Sequence, residues 1–246
     1  MELTDRSFWL NYWEQKKDLI YSVNDDLVLT EILAKIIVNN SIKTSLEIGG
    51  FPGHYSIYLK KKFNIDVTLL DYVIHEDIIK KLLSCNRLEE EELIILEANI
   101  FKFKESRKYN LVFSNGLIEH FDDTKLIIQK HTDLLSSGGV LFLSLPNFKS
   151  LNGWFQKKFD LANYEKHNIN SMDLELLKSI CQELGLKNID VKYHGNFMLW
   201  LENIDSKSFL FKGCFKVIWF IFKVIFKIIP INTKAFSPYI VLTAIK

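Results

Sequence analysis

The residues best placed to do chemistry lie in a glycine-rich turn between a short β-like run and a helical pattern. The β-like run covers residues 45–48, the turn covers residues 49–53 (GGFPG), and a helical pattern follows. Glycines let the backbone pass close to a ligand, and the unpaired amides at the start of a helix point at that ligand. The turn therefore predicts a cradle for a nucleotide-like molecule.

Two side chains narrow the kind of nucleotide. Glu47 stands just before the glycines, where a carboxylate disfavours a phosphate and favours a ligand with a cationic, methionine-like end. A dinucleotide fingerprint needs glycines at positions 49, 51 and 54, but two of these are Phe51 and His54. A phenyl ring at position 51 stands where a pyrophosphate would approach. The turn therefore favours S-adenosylmethionine over NAD.

The predicted strands and helices alternate along the chain, which is typical of an α/β protein with a mostly parallel, doubly wound sheet. The predicted strands cover residues 44–48, 65–70, 93–96, 109–113, 140–145, 187–193 and 239–244. The predicted helices cover residues 25–38, 76–83, 124–135 and 172–184, with Asp25 or Asp26 as the cap of the first. Such sheets bind ligands at the carboxyl ends of their strands, so the functional residues should lie there.

Polar groups follow the next three strand ends as well. Asp71 ends the second strand, and a carboxylate accepts two hydrogen bonds at once, which suits the two hydroxyls of a ribose. Asn99 and Ile100 follow the third strand and offer a side-chain acceptor and a backbone amide to an adenine. Residues 114–119 (SNGLIE) follow the fourth strand and are expected near the methionine end.

The composition fits one α/β domain with an embellishment and limits the partners. The chain has 246 residues, 48% of them hydrophobic, and a formal net charge of +1. Because there is no basic field, we expect no nucleic-acid partner. Three scattered cysteines favour reduced thiols over a disulfide or zinc framework, and we expect no bound metal. The polar, acidic start of the sequence is unlike a signal peptide, so a cytoplasmic location is expected.

Four motifs in this order resemble the class I S-adenosylmethionine-dependent methyltransferases. LEIGGFPG is similar to the first motif of that family, LLD to its acidic second-strand end, YNLVFSNGLIEHF to its fourth-strand motif, and LLSSGGVLFLSLPN to its fifth strand. The resemblance covers roughly residues 25–200 and the last strand. It implies a Rossmann-like, doubly wound, seven-stranded mixed sheet with an antiparallel last strand. Phe51 and Asn99 depart from the family, which has glycine and aspartate at these positions.

The cofactor implied by this resemblance is S-adenosylmethionine, and its expected contacts lie at or just after the strand ends. They are Glu47, Gly49, Gly50, Phe51, Gly53, Asp71, Tyr72, Asn99, Ile100, Ser114, Asn115, Gly116 and Glu119.

Methyl transfer needs a general base only to collect a proton from a hydroxyl acceptor, because the cofactor supplies the electrophile. His120, His167 and Glu119 are the candidates for that base, and each histidine has a purely structural role as its alternative. An N-terminal aromatic segment (residues 1–24) and a loop over residues 147–171 are expected to form a lid. The residues on these segments expected to bind the acceptor are Tyr12, Trp13, Asn147, Trp154 and Tyr164, and packing of the lid onto the sheet explains them equally well.

Residues 208–229 form an apolar segment within an insertion predicted over residues 204–231. All its charges are lysines on one face of a helix, and its uncharged runs are far shorter than the ~20 residues that span a bilayer. The pattern therefore predicts an amphipathic helix. It would lie in a membrane interface, pair with a second copy of the chain in a homodimer, or pack on its own sheet.

Together these features predict an S-adenosylmethionine-dependent methyltransferase that methylates oxygen on a small-molecule, glycan or lipid-linked acceptor. The predicted location is the cytoplasm, with attachment to the inner face of the membrane as a further expectation. The alternative is a non-catalytic module that binds S-adenosylmethionine and docks through the aromatic helix, and Phe51 and Asn99 favour this alternative.

Overall fold

The structure is a computed structural model that describes residues 3–16, 18–229 and 232–246. Seven strands form one sheet, and in chain order they are β1 (Thr44–Ile48), β2 (Asp66–Asp71), β3 (Leu93–Glu97), β4 (Tyr109–Asn115), β5 (Leu135–Pro146), β6 (Lys187–His194) and β7 (Tyr239–Ile245). Across the sheet the order is β3-β2-β1-β4-β5-β7-β6. The seven-stranded mixed sheet predicted from the sequence is therefore confirmed.

The direction of the strands places the ends of four of them at one edge. Strands β1 to β5 pair in parallel, whereas β7 runs antiparallel to both of its neighbours. The inner strands are apolar on both faces, and Leu46 and Leu111 are fully buried. The connection order reverses between β1 and β4, and this switch point is where a doubly wound sheet opens a crevice for a ligand.

Helices cover both faces of the sheet. Those in the described ranges are α1 (Arg6–Gln15), α2 (Thr30–Asn40), α3 (His54–Phe63), α4 (Glu76–Cys85), α5 (Thr124–Asp133), α6 (Leu151–Phe159), α7 (Leu161–Tyr164), α8 (Leu174–Glu183) and α9 (Phe209–Ile228). One apolar core lies around Leu143 and Met172, and the other lies around Leu33 and Phe142 on the opposite face. The helices pack onto the two faces of the sheet through these cores, and this packing holds the ends of the strands in place.

Helix α2 begins at Thr30, several residues after the start predicted from Asp25 or Asp26. The Thr30 hydroxyl donates to the backbone oxygens of Asp25 (2.6 Å) and Leu27 (2.7 Å), and these bonds close a turn before the helix. The Asp25 carboxylate pairs with Lys62 at the end of α3. The predicted cap is therefore wrong, because a tertiary partner engages the carboxylate.

Residues 136–139 (SSGG), which follow the helix predicted over residues 124–135, belong to the sheet. Helix α5 ends at Asp133, and β5 already begins at Leu135. The Gly138 amide donates to the Lys246 oxygen (2.9 Å), and the Lys246 amide donates to the Gly139 oxygen (3.0 Å). These bonds to Lys246, directly after β7, therefore hold residues 138 and 139 at the edge of the sheet.

The segment over residues 147–171, predicted as an irregular loop, is mostly helical. Ser150 caps α6 by accepting from the Asn152 amide (3.1 Å). Helix α7 follows, and a 3-10 turn (Ile169–Met172) then leads into α8. A Cβ built on Gly153 would lie 1.7 Å from the Phe148 oxygen. A glycine therefore lets α6 pack directly onto the chain that leaves β5.

Helix α9 is the insertion predicted from the sequence, and positions 230 and 231 at its end lie outside the described residues. Phe215 stacks on Phe155 of α6 (5.5 Å between ring centroids), and Phe226 stacks on Phe197 (5.6 Å). Phe226 is the one buried residue described in this helix. Among the residues that the structure describes, no helix is long and apolar enough to cross a membrane.

Candidate active site

A cavity of about 530 Å³ opens at the carboxyl ends of β1, β2, β3 and β4. The predicted cofactor residues that line it are Glu47, Gly49, Gly50, Phe51, Asp71, Tyr72, Asn99, Ile100, Asn115, Gly116 and Glu119. Side chains from α1 and from the chain around β6 and β7 line the same cavity. The structure therefore brings most of the predicted set together in one crevice at the switch point.

The first two glycines of the turn are required by close contacts. Gly49 has a φ of +67°, and a Cβ there would lie 2.6 Å from Leu117. A Cβ on Gly50 would lie 2.2 Å from the carboxyl carbon of Glu47. Both contacts are far shorter than van der Waals distance. The backbone therefore lies against Leu117 and Glu47, and only glycine fits at these positions.

Glu47 is buried beneath this turn and binds the start of α3. Its Oε2 accepts from the Ser56 amide (2.9 Å) and the Ser56 hydroxyl (2.5 Å). Burial raises the pKa of Glu47 to about 8, against the lowering effect of the bonds from Ser56. The carboxyl is therefore mostly protonated at pH 7, and a cationic ligand group beside it would favour its ionisation.

Asp71 links the second strand to the glycine turn. Its Oδ2 accepts from the Phe51 amide (2.9 Å), and its Oδ1 accepts from the Val73 amide (3.0 Å). Burial raises the pKa of this carboxyl to about 6 although backbone bonds oppose the shift, so it is mostly ionised at pH 7. The carboxylate also lines the cavity, where it can accept a further bond from a ligand hydroxyl.

Phe51 anchors the N-terminal helix against the turn. Its side chain is 3% exposed, and its ring meets Trp13 edge-on at 5.1 Å between centroids. Trp9, Tyr12 and Trp13 of α1 all line the cavity. The aromatic residue that replaces the glycine of the family therefore serves as the base on which the aromatic helix packs.

Asn99 holds the turn after β3. Its Oδ1 accepts from the Phe101 amide (2.8 Å), as a turn-forming asparagine does. Ile100 beside it is buried and lines the cavity. The predicted adenine contacts thus stand at the cavity wall, with the side-chain oxygen of Asn99 already bonded to its own turn.

The imidazoles of His120 and His167 and the carboxyl of Glu119 form a cluster at the other end of the cavity. One ligand atom each of Glu119, His120 and His167 lies within 4.8 Å of the others. Nδ1 of His120 bonds the Lys166 oxygen (3.0 Å), and Nδ1 of His167 bonds the Asn163 oxygen (2.7 Å). A carbonyl oxygen only accepts, so each Nδ1 carries the proton and each Nε2 keeps its lone pair.

Five residues predicted for the site lie outside the residues that line the cavity. The Ser114 hydroxyl bonds His131 (3.0 Å) within the core, and Gly53 caps α3. Asn147 donates to the Lys234 and Ser237 oxygens and ties β5 to the chain before β7. Trp154 is 56% exposed, and Tyr164 stacks on Phe148. Asn147 thus makes structural bonds and Tyr164 packs within the protein, while the role of these two residues and of Trp154 in acceptor binding stays a prediction.

Several residues of the cavity wall are not predicted from the sequence. Trp200 and Tyr239 line it and stack on each other at 6.2 Å between centroids. His54 also lines it, with Nε2 bonded to the Leu19 oxygen at 2.8 Å. Trp200 follows β6 and Tyr239 starts β7, so no local spacing signals that they meet. Only the antiparallel insertion of β7 beside β5 brings them to the crevice.

The match to a protein family agrees with this geometry. A family model described as a methyltransferase domain matches residues 14–191, which is more than half of the chain. The chain therefore belongs to this methyltransferase family. The class of enzyme and the cofactor S-adenosylmethionine, both predicted from the four motifs, are confirmed. No curated protein matches the chain in sequence.

Solved structures share the fold at low sequence identity. An S-adenosylmethionine-dependent methyltransferase from Archaeoglobus fulgidus is 17% identical, with a TM-score of 0.59 over 98% of this chain and 100% of its own. Phosphoethanolamine N-methyltransferase 2 from Haemonchus contortus, solved with phosphomonomethylethanolamine and S-adenosylhomocysteine, is 15% identical, with a TM-score of 0.59 over 88% of this chain and 52% of its own. The N-methyltransferase NodS from Bradyrhizobium japonicum, bound to S-adenosylhomocysteine, is 12% identical, with a TM-score of 0.55 over 100% of this chain and 94% of its own.

Proposed function

We propose that this methyltransferase methylates a hydroxyl oxygen on a small-molecule, glycan or lipid-linked acceptor bound beneath the aromatic helix. The observation that carries the proposal is one continuous cavity with two chemically different ends. The Asp71 end offers buried acceptors and a glycine cradle, and the opposite end offers two imidazoles among aromatic rings. S-adenosylmethionine supplies an electrophilic methyl group when bound.

The residues at the first end fit S-adenosylmethionine. Asp71 lines the cavity with an ionised carboxylate, which can accept from a ribose hydroxyl. Gly49 and Gly50 leave the backbone bare where a ligand would pass, and the Glu47 carboxyl stands beside them to favour a cationic end. Tyr72 and Ile100 line the same wall, on the side proposed for the adenosine.

The residues at the second end can take a proton from an acceptor hydroxyl. Burial lowers the pKa of His120 to about 3 and lowers the pKa of His167, so both imidazoles are neutral at physiological pH. A neutral ring with its proton on Nδ1 accepts a proton only at Nε2. Because the rings are weak bases, they suit a proton that leaves while the bond to the methyl group forms, when the oxygen becomes more acidic.

The aromatic helix limits the access of water to this end. Trp9 of α1 meets the His120 ring edge-on at 5.1 Å, and Phe148 lies against the His167 ring at 4.7 Å between centroids. Tyr12 and Trp13, two of the predicted acceptor residues, line the cavity from the same helix. An apolar wall of this kind orients an acceptor and strengthens the electrostatic interactions inside the site.

Calorimetry of cofactor binding tests the proposal. We expect wild-type protein and the Asp77→Ala control, an exposed residue of α4, to bind S-adenosylhomocysteine equally. Asp71→Ala should weaken binding at least ~10-fold, since it removes charge-assisted bonds to the ribose. Absence of binding by the wild type would refute the proposal. Binding without methyl transfer to any hydroxyl acceptor would favour the non-catalytic module, which is the alternative that Phe51 and Asn99 favour.

The proposal extends to α9, whose outward face is apolar. Leu210 is 78% exposed and Phe220 is 63% exposed, while Phe211 and Phe215 face the protein. The exposed apolar residues of this surface are Phe209, Leu210, Val217, Ile218, Phe220, Ile221, Val224, Ile225, Ile228 and Ile229. A contiguous apolar surface of this size needs a covering partner.

Charge favours an anionic lipid surface as that partner. Residues 206–246 contain seven lysines and no aspartate or glutamate, and four of the lysines flank the apolar face of α9. Lysines beside an inserted apolar face bind anionic headgroups. A second copy of the helix would bring the same positive charges together. We therefore propose attachment to an anionic membrane surface and treat a homodimer as the outcome that would refute it.

Vesicle flotation distinguishes these partners. We expect flotation with vesicles that contain phosphatidylglycerol, loss of flotation in high salt, and none with phosphatidylcholine alone. Replacing Ile221 and Val224 together by glutamate should abolish flotation, whereas Val38→Glu, on an exposed position of α2, should leave it intact. A dimer in size-exclusion chromatography that the double variant dissociates, without flotation of the wild type, would show that α9 pairs with a second copy.

A further inference from the structure

Glu119, His120 and His167 present the combination of groups that divalent cations bind in proteins. One ligand atom of each lies within 4.8 Å of the other two, and all three residues line the cavity. Metal bonds of roughly 2.0–2.2 Å place ligand atoms about 3 to 4 Å apart around one ion. A contraction of about 1 Å by side-chain rotation therefore brings the three groups into a single coordination shell.

Both histidines are oriented as metal ligands are. Each Nδ1 donates to a backbone oxygen, from His120 to Lys166 (3.0 Å) and from His167 to Asn163 (2.7 Å). Metal-bound histidines nearly always donate their second nitrogen in this way, because the bond fixes the tautomer and the ring. With each Nδ1 donating to a carbonyl oxygen, each Nε2 keeps a lone pair for a metal ion.

Glu119 supplies an independent observation that points to a cation. Its side chain is 1% exposed, and its Oε2 is buried without a hydrogen-bond partner. Leaving a buried carboxyl oxygen without a partner costs free energy, so such an atom needs an explanation. A cation would complete the bonding of Oε2.

The surroundings complete the pattern of a catalytic metal site. Trp9 and Phe148 pack against the two rings at 5.1 and 4.7 Å and form an apolar shell. Three protein ligands, two imidazoles and one carboxylate, leave coordination positions open, as in catalytic zinc sites and in iron sites of the two-histidine, one-carboxylate type. These open positions face the cavity, because all three ligands line it.

We propose that Glu119, His120 and His167 bind one divalent first-row cation, zinc or iron(II) in kind, with its open positions toward the acceptor end of the cavity. This assigns a metal site that the sequence did not predict. On the basis of the proposed function, the oxygen of the acceptor occupies one of the open coordination positions of this ion. Coordination would lower the pKa of the hydroxyl, so that its proton passes to solvent water as the oxygen takes the methyl group, and the two histidines would serve as ligands instead of bases.

Metal binding is measured on chelator-treated protein without cofactor. Zn²⁺ is titrated by calorimetry, and Co²⁺ is followed by its visible absorption. We expect one ion per chain, because the three groups surround a single position. Glu119→Gln and His167→Gln should each weaken binding ~100-fold or more, whereas His194→Gln, whose residue does not line the cavity, should bind as the wild type does.

Separate readouts keep the two proposals apart. Binding of S-adenosylhomocysteine by His167→Gln shows that this variant is folded, because His167 is not among the proposed cofactor contacts. Failure of wild-type protein to bind Zn²⁺ or Co²⁺ more tightly than 10⁻³ M, or equal affinity in all four proteins, would overturn the metal site and leave the cofactor test unaffected. Loss of cofactor binding with intact metal binding would refute the proposed function alone.

Discussion

Replacing Glu47 by glutamine should change how the stability of the cofactor-free protein depends on pH. Burial raises the pKa of this carboxyl from 4.5 to about 8. Between these values the folded state binds a proton that the unfolded state has released. Stability therefore falls as pH rises through this window. The same linkage gives a loss of about 2.5 kcal/mol between pH 5 and pH 7 from this one group.

Urea denaturation at pH 5, 6, 7 and 8 measures this effect. Glutamine keeps the size of the side chain and an oxygen for the Ser56 amide, but it does not titrate. We therefore expect the slope of unfolding free energy against pH to be shallower in Glu47→Gln than in the wild type. The control Glu91→Gln, at an exposed position, should retain the wild-type slope. Equal slopes in the wild type and Glu47→Gln would refute the argument.

Three further substitutions test the packing of the site. Gly50→Ala should abolish binding of S-adenosylhomocysteine in calorimetry, because its Cβ would lie 2.2 Å from a buried carboxyl carbon. Phe51→Gly, which restores the glycine of the family, should destabilise the protein by about 3–5 kcal/mol in urea denaturation, as it removes the ring beneath Trp13; unchanged stability would contradict this role. Gly153→Ala, normally favourable within a helix, should lower stability by at least ~3 kcal/mol, since its Cβ would lie 1.7 Å from the Phe148 oxygen.

Much of the fold could be read from local patterns. Asp71 at the end of β2 and Asn99 just after β3 are predicted beside the glycine turn, because parallel strands finish at one edge of a sheet, and both line the cavity. Those positions depend on periodicity, turn chemistry and connection order, all of which the chain carries locally. The predicted start of the first helix at Asp25 is too early because a long-range contact is involved. A lysine from another helix pairs with the Asp25 carboxylate.

The residues of the candidate site are harder to predict from the sequence than the fold is. Asn147 is a polar residue after a strand end, as Asn99 is, but it bonds the backbone near β7 instead of facing the cavity. Trp200 and Tyr239 reach the cavity without any local signal. Nothing in the spacing of His120 and His167 shows that their rings lie 4.8 Å apart between centroids.

Local patterns in the sequence are enough to predict the alternation of strands and helices, the glycine cradle and the acidic end of β2, because these follow from short-range sterics and hydrogen bonding. Long-range packing in the folded protein controls which distant side chains meet. It placed the ring of Phe51 beneath the aromatic helix and gathered Glu119 and two histidines at the far end of the cavity. Burial then set the ionisation of these groups, since desolvation depends on every element packed around them.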